Sequence, residues 1–117
     1  MDTSWSEEVP VGIVVCNAEG IVEWMNDRAA RIFKVSGGMD LVGSNLMDCH
    51  PERAQGKVRQ LFEKKEPYCY TVETNGTTAM LYQAPRYVDG VFKGFVEFIY
   101  TLPADIPRLD EIRWVEK

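Results

Sequence analysis

The sequence has a single histidine, His50, and three cysteines, Cys16, Cys49 and Cys69, with no CxxC pair among them. An odd, widely spaced set of cysteines is no disulfide framework, so free thiols in a reducing, cytoplasmic setting are expected. The same scarcity excludes a zinc centre, which needs four ligands, or three and a water, at close spacing. Positive charge is also short: 13 Lys and Arg stand against 18 Asp and Glu, a net charge of −5. Nucleic-acid binding calls for a basic stripe to neutralise phosphates, and none exists here. No apolar run approaches the ~20 residues of a membrane-spanning helix. The opening MDTSWSEEVP has neither a basic n-region nor an apolar h-region, so no secretory leader is expected. Ser36-Gly37-Gly38 lacks the lysine of a phosphate-binding loop. Internal repeats and low-complexity stretches are missing too.

What remains is an ordinary globular composition: 45% hydrophobic and 26% charged residues over 117 positions, which makes one domain. A chain of this length buries roughly two-thirds of its unfolded surface and needs no staples. Thr3–Glu8 carries capping residues and then acids, a short helical turn that ends by Pro10. Gly12–Cys16 and Ile21–Met25 are β-branched runs joined by Asn17-Ala18-Glu19-Gly20, a hairpin pattern. Asn26-Asp27 offers an N-cap for a helix over Arg28–Lys34 that Ser36-Gly37-Gly38 breaks. Met39–Met47 reads as a helical turn and a loop. Pro51 suits the first position of the next helix, whose Ala54, Val58, Leu61 and Phe62 share a face, and Pro67 ends it.

The second half alternates as strands do. Tyr68–Thr74, Thr77–Val88 and Val91–Tyr100 are separated by Asn75-Gly76 and Asp89-Gly90, both tight-hairpin signals. Pro85 suggests an edge or a bulge in the second of these strands. In the third, strict alternation puts Phe92, Gly94, Val96, Phe98 and Tyr100 toward the core. It puts Val91, Lys93, Phe95, Glu97 and Ile99 on the opposite, half-apolar face, which something is expected to cover. The core then spans about residues 9–102. The flanking 103–117 has Leu109, Ile112 and Val115 three apart, the start of an amphipathic linker helix.

The pair Cys49-His50 is the natural place to look for chemistry. Nucleophilic catalysis needs a base that faces the thiol and a third group to orient it. Adjacent residues point apart and no second histidine exists, so a non-enzyme is expected. The plain alternative has Asp48 or His50 capping the helix at Pro51 and Cys49 packing as a small hydrophobe.

In their order and spacing, several short motifs resemble a PAS domain along nearly the whole chain. They are Val9–Val15, Glu19-Gly20-Ile21-Val22, Trp24-Met25-Asn26, Leu41-Val42-Gly43 and Asp89–Gly94. The resemblance implies an α+β fold: a five-stranded antiparallel sheet in order 2-1-5-4-3, with helices covering one face over a pocket. It implies a sensor of signal transduction that regulates an effector domain or partner, through a small apolar or amphipathic ligand, through homodimerisation, or through both. Ligand-free dimerisation is the alternative. Asn17 replaces the aspartate common in the family. Asp105-Ile106-Pro107 resembles the Asp-Ile-Thr exit motif, with proline for threonine and a late position, which departs from the usual signal-relay helix.

Candidate pocket residues are Phe33, Leu46, Val58, Phe62, Tyr70, Tyr82, Val96 and Phe98, with Cys49 and His50 as polar contacts. Each could equally be plain core filling. The candidate dimer face is Trp5, Val91, Phe95 and Ile99. No metal ligand is expected, with His50 as a haem ligand the one exception considered. Family haem sensors hold theirs about two turns into the long helix, which falls near Val58 here, and neither a CxxCH nor a Cys-Pro haem motif is present. Flavin is not expected: Gly43-Ser44-Asn45 resembles the start of the light-oxygen-voltage motif GxNCRFxQ, but Leu46 occupies the cysteine position. In photoactive yellow protein a tyrosine and a glutamate hold the chromophore, and the corresponding positions here are Met25 and Ala29, which cannot.

Overall fold

The computed structural model describes residues 2–108. Trp5–Glu8 forms a single helical turn, α1, followed by the strands β1 (Gly12–Cys16) and β2 (Val22–Met25). The connecting loop is an Asx turn. Asn17 Oδ1 accepts from the backbone N–H groups of Glu19 (3.0 Å) and Ile21 (2.9 Å). Helix α2 (Asp27–Ile32) then leads through two 3₁₀ turns, Lys34–Ser36 and Gly38–Leu41, to α3 (Leu46–Cys49) and α4 (Glu52–Lys64). Three strands close the fold: β3 (Tyr68–Thr74), β4 (Thr77–Val88) and β5 (Val91–Leu102). Asn75 and Asp89 take φ of 51° and 50°, each followed by a glycine at 78°, the geometry of tight hairpins.

The sheet runs β2-β1-β5-β4-β3, antiparallel throughout, as the family resemblance implies. The expected linker helix, with Leu109, Ile112 and Val115, lies outside the described residues.

Asn26 ties the first half together. It is wholly buried, and its Oδ1 accepts from Ile13 N–H and from Ala29 N–H, both at 3.0 Å. Its Nδ2 donates to the carbonyls of Ser6 (2.9 Å) and Val11 (2.8 Å). One amide therefore caps α2, closes the start of β1 and anchors α1. Against this knot packs a small core of Val14, Val22, Met25 and Ala29.

Two expectations require correction. Strict alternation along β5 fails because Arg86 pairs with Gly94 while Tyr87 pairs with Phe92, so Lys93 is an extra residue, a β-bulge. Beyond it the faces exchange. Phe95 (6% exposed) and Ile99 (3%) point into the core with Glu97, while Val96, Phe98 and Tyr100 take the outer face. Pro85 is also not on an edge strand: β4 is interior, but β3 stops at the Tyr68–Gln83 pair, so Pro85 pairs with β5 alone. The bulge suspected there lies next to it.

A second bulge, at Glu23, arises where Val15 pairs with Trp24 and Cys16 with Val22. It brings the Glu23 carboxylate within 2.6 Å of Arg86, whose Nε also donates to the Cys16 carbonyl at 3.3 Å. Both ends of this ion pair are well solvated, so it contributes at most ~1 kcal/mol.

Candidate functional site

The helices cover one face of the sheet and leave a chamber between. Its wall on the sheet side alternates out of three strands: Val14 and Cys16 from β1, Phe95 and Glu97 from β5, Leu81 and Gln83 from β4. These are cross-strand neighbours (Val14 with Glu97, Cys16 with Phe95, Gln83 with Glu97), so they share one face by register. The roof is Phe33 and Leu41 from the α2 side, Leu46 and His50 around α3, and Val58, Leu61 and Phe62 from α4. The space forms two adjoining cavities that share Val14, Leu46, His50 and Glu97. The one bordered by Tyr70 holds about 190 Å³ and the one bordered by Phe95 about 50 Å³.

The roof is held by local hydrogen bonds. Asn45 caps α3 by accepting from Met47 N–H at 2.9 Å. His50 does not cap α4, and Pro51, rather than His50, holds the N-cap position with no side-chain bond. His50 instead folds back one turn, and its Nδ1 lies 2.6 Å from the Leu46 carbonyl. A carbonyl only accepts, so Nδ1 carries the hydrogen and, in the neutral ring, Nε2 is left as an acceptor. Gln55 secures the junction by donating from Nε2 to the carbonyls of Met47 (2.9 Å) and His50 (3.3 Å).

Within this mostly apolar wall sits a polar cluster. Gln83 Nε2 donates to Glu97 Oε2 at 3.2 Å. Gln83 Oε1 is shut off from solvent and has no hydrogen-bond partner among the described residues. Burial pushes the Glu97 carboxyl above its ordinary range; the Gln83 bond and the neighbouring His50 act the other way but less strongly. Burial, followed by Glu97 and Tyr68, also raises Tyr70. Cys16 is raised chiefly by desolvation, so its thiol stays protonated and unreactive.

Of the candidate pocket residues, Phe33, Leu46, His50, Val58, Phe62 and Tyr70 line the chamber region. Tyr82, Val96 and Phe98 do not; the Lys93 bulge and the cross-strand pairs Ala84–Val96 and Tyr82–Phe98 put all three on the outer face. The Cys49 side chain lies outside what the structure describes. Of the four residues expected on a dimer face, Phe95 and Ile99 are core, while Trp5 (60% exposed) and Val91 (55%) are open. The outer face is built instead from Val15, Trp24, Val96, Phe98 and Tyr100, with the last two rings stacked at 6.4 Å. Glu97 and Gln83 were missed, and Gly94 was the signal: a lone glycine inside a strand marks a bulge or a close backbone approach.

The two cavities, about 190 and 50 Å³, are each smaller than the about 300–1,000 Å³ of a site for a drug-sized ligand. Among the described residues, no cluster of three or more His, Cys, Asp or Glu could hold a metal ion.

A five-stranded antiparallel sheet in this order, half-wrapped by helices over an internal chamber, is the architecture of PAS domains. The model of the family described as the PAS fold matches residues 6–67, more than half of the 117, and the chain belongs to that family. No curated protein matches it in sequence. Among solved structures it resembles a C-terminal domain from Streptococcus mutans, with 24% identity, a TM-score of 0.67, and 81% of this chain and 78% of that one covered. It resembles the Aer2 receptor of Vibrio cholerae, described as a dual PAS-haem oxygen sensor, at 14% identity and a TM-score of 0.63, covering 80% and 95%. It also resembles a sensory box sensor histidine kinase from Vibrio cholerae at 10% identity and 0.62, covering 88% and 90%. At such identities the likeness is one of fold.

Proposed function

We propose that this chain is the sensory part of a signalling protein, holding a small apolar or amphipathic ligand in the chamber and passing its state to an effector domain or partner protein. One observation carries the reading: a carboxylate and an amide, Glu97 and Gln83, stand in an apolar enclosure where solid core would place hydrocarbon. Buried polar atoms without partners are rare in folded proteins and call for an explanation. Convergent polar groups in an apolar cavity are the usual form of a small-molecule site. The likeness to PAS domains of a receptor and of a sensor kinase supports a signalling context. Among the described residues no helix is long and apolar enough to cross a membrane.

The reading is of a binding module and not an enzyme; ester or peptide hydrolysis that Cys49→Ser abolishes would overturn that part. Native mass spectrometry of protein purified without added ligand tests the rest. A small molecule retained at one per chain is the expected result. An empty dimer would instead favour a ligand-free self-association module, which the apolar outer face of Trp24, Val96, Phe98 and Tyr100 supports.

A further inference from the structure

On the chamber's sheet wall the open hydrogen-bonding groups are mostly acceptors; the hydroxyl of Ser36 lies on the roof side of the larger cavity. Gln83 Oε1 has no partner among the described residues, and its amide N–H₂ is already turned to Glu97. Glu97 spends Oε2 on that bond, and its second oxygen is a further acceptor when the carboxyl is ionised. His50 gives its Nδ1 hydrogen to the Leu46 carbonyl, which leaves Nε2 accepting. Tyr70 O–H is the one open donor among the polar groups lining the Tyr70-side cavity's sheet wall. No lysine or arginine lines either cavity. Lys57 stands at the neighbouring opening beside His50, Tyr70 and Gln83, with its ammonium over the Tyr68 ring at 4.1 Å, and Arg86 pairs with Glu23.

Resting on the reading of the chamber as a ligand site, we propose that it selects a compact organic amine, whose ammonium hydrogens go to Glu97 and Gln83 and whose apolar body lies against Val14, Leu46 and Leu81. A carboxylate ligand would meet the like charge of an ionised Glu97, with no lysine or arginine in the lining of either cavity to offset it. A neutral alcohol could satisfy one acceptor and leave the others bare. An ammonium carries three donors, and its charge compensates a carboxylate that the surroundings have stripped of water. The size of the larger cavity, about 190 Å³, limits the ligand to a single small ring or a short chain.

Three probes with the same phenyl body separate the cases: phenethylamine, phenylacetate and phenethyl alcohol, each titrated into the ¹⁵N-labelled protein and followed by amide shifts. The expected result is saturable binding of phenethylamine, centred on His50, Gln83 and Glu97, about tenfold or more tighter than either partner probe. Glu97→Gln keeps the shape and removes the charge, and it should erase that preference while the spectrum stays dispersed. Gln83→Met, which removes the open acceptor, should weaken the amine without strengthening the acid. Equal or tighter binding of the acid or the alcohol overturns the amine assignment and leaves the chamber a ligand site. So does an amine preference that survives in folded Glu97→Gln. Failure of all three probes to bind, together with an empty native mass spectrum, overturns the ligand reading itself.

Discussion

Gln83 and Glu97 are cross-strand partners on β4 and β5, and their 3.2 Å hydrogen bond lies on the helix-covered side of the sheet. Two residues that ordinary patterning would leave in water are thus inside. The position of Glu97 follows from the bulge at Lys93, which turns the second half of β5 over, and Gln83 shares its face as its direct cross-strand partner.

The buried carboxyl makes stability depend on pH. Glu97 has its folded pKa raised, chiefly by desolvation, so the folded state binds its proton more tightly than the unfolded one. Stability from this group is therefore greatest in acid, declines as pH rises from the unfolded value to the folded one, and levels off above it. Glu97→Gln removes that decline. The variant should melt higher than the parent at pH 7–8, with the gap closing near pH 4 and below, where Glu97 becomes protonated in the folded and unfolded states alike. Scanning calorimetry across that range measures it; a variant that is less stable at pH 8 would contradict the burial argument.

Asn26→Asp tests the knot at the start of the fold. The substitution keeps the Oδ1 acceptor for Ile13 and Ala29 but replaces an amide donor by an acidic oxygen facing the Ser6 and Val11 carbonyls. Two buried hydrogen bonds become two repulsive contacts at a side chain that is wholly buried. The expected loss is about 3 kcal/mol or more, read as a lower urea midpoint with the slope unchanged. Because Nδ2 reaches Ser6, α1 should lose hydrogen-exchange protection first.

Much of the fold was legible because local chemistry and tertiary structure agreed. The Asn-Gly and Asp-Gly pairs fix the two C-terminal hairpins without help from the rest of the chain, and Asn26 announces α2 through its capping role. The candidate site was legible only in part. Helix periodicity placed Val58 and Phe62 correctly, since 3.6-residue spacing survives along α4. Strand periodicity failed in β5 because a single inserted residue inverts every side chain after it. His50 was identified as noteworthy, yet its partner is the Leu46 carbonyl one turn back, a bond that sequence spacing permits but does not require.

Gly94 is where that inversion is made possible. Its φ of +121° is closed to other residues, and a Cβ there would run into the Cys16 carbonyl and lie 2.6 Å from the Asn17 carbonyl carbon. Gly94→Ala should therefore cost about 3 kcal/mol or more, through both strain and backbone displacement. Gly56, in the middle of α4, has open space around its Cβ position and no positive φ. Gly56→Ala should stabilise the domain by about 0.5–1 kcal/mol. Denaturation midpoints that move in the same direction for both variants would show that Gly94 is not a conformational requirement.

The outer face gives the last prediction, and it separates self-association from ligand binding. Phe98 sits at the centre of that face, opposite Ile13 on one side and Tyr82 on the other, and stacked on Tyr100. If a second copy covers this surface, Phe98→Glu places a charge in the middle of a desolvated contact, and the dimer should weaken about a hundredfold or more. The monomer loses only the apolar area of one half-buried ring, about 1–2 kcal/mol. Glu97 lies on the opposite side of the same strand, so ligand binding in the chamber should be unchanged. Sedimentation velocity reads the first effect and native mass spectrometry the last. A Phe98→Glu protein that still dimerises at the parent's concentration would move the interface to Trp5 and Val91, which stand exposed elsewhere on the domain.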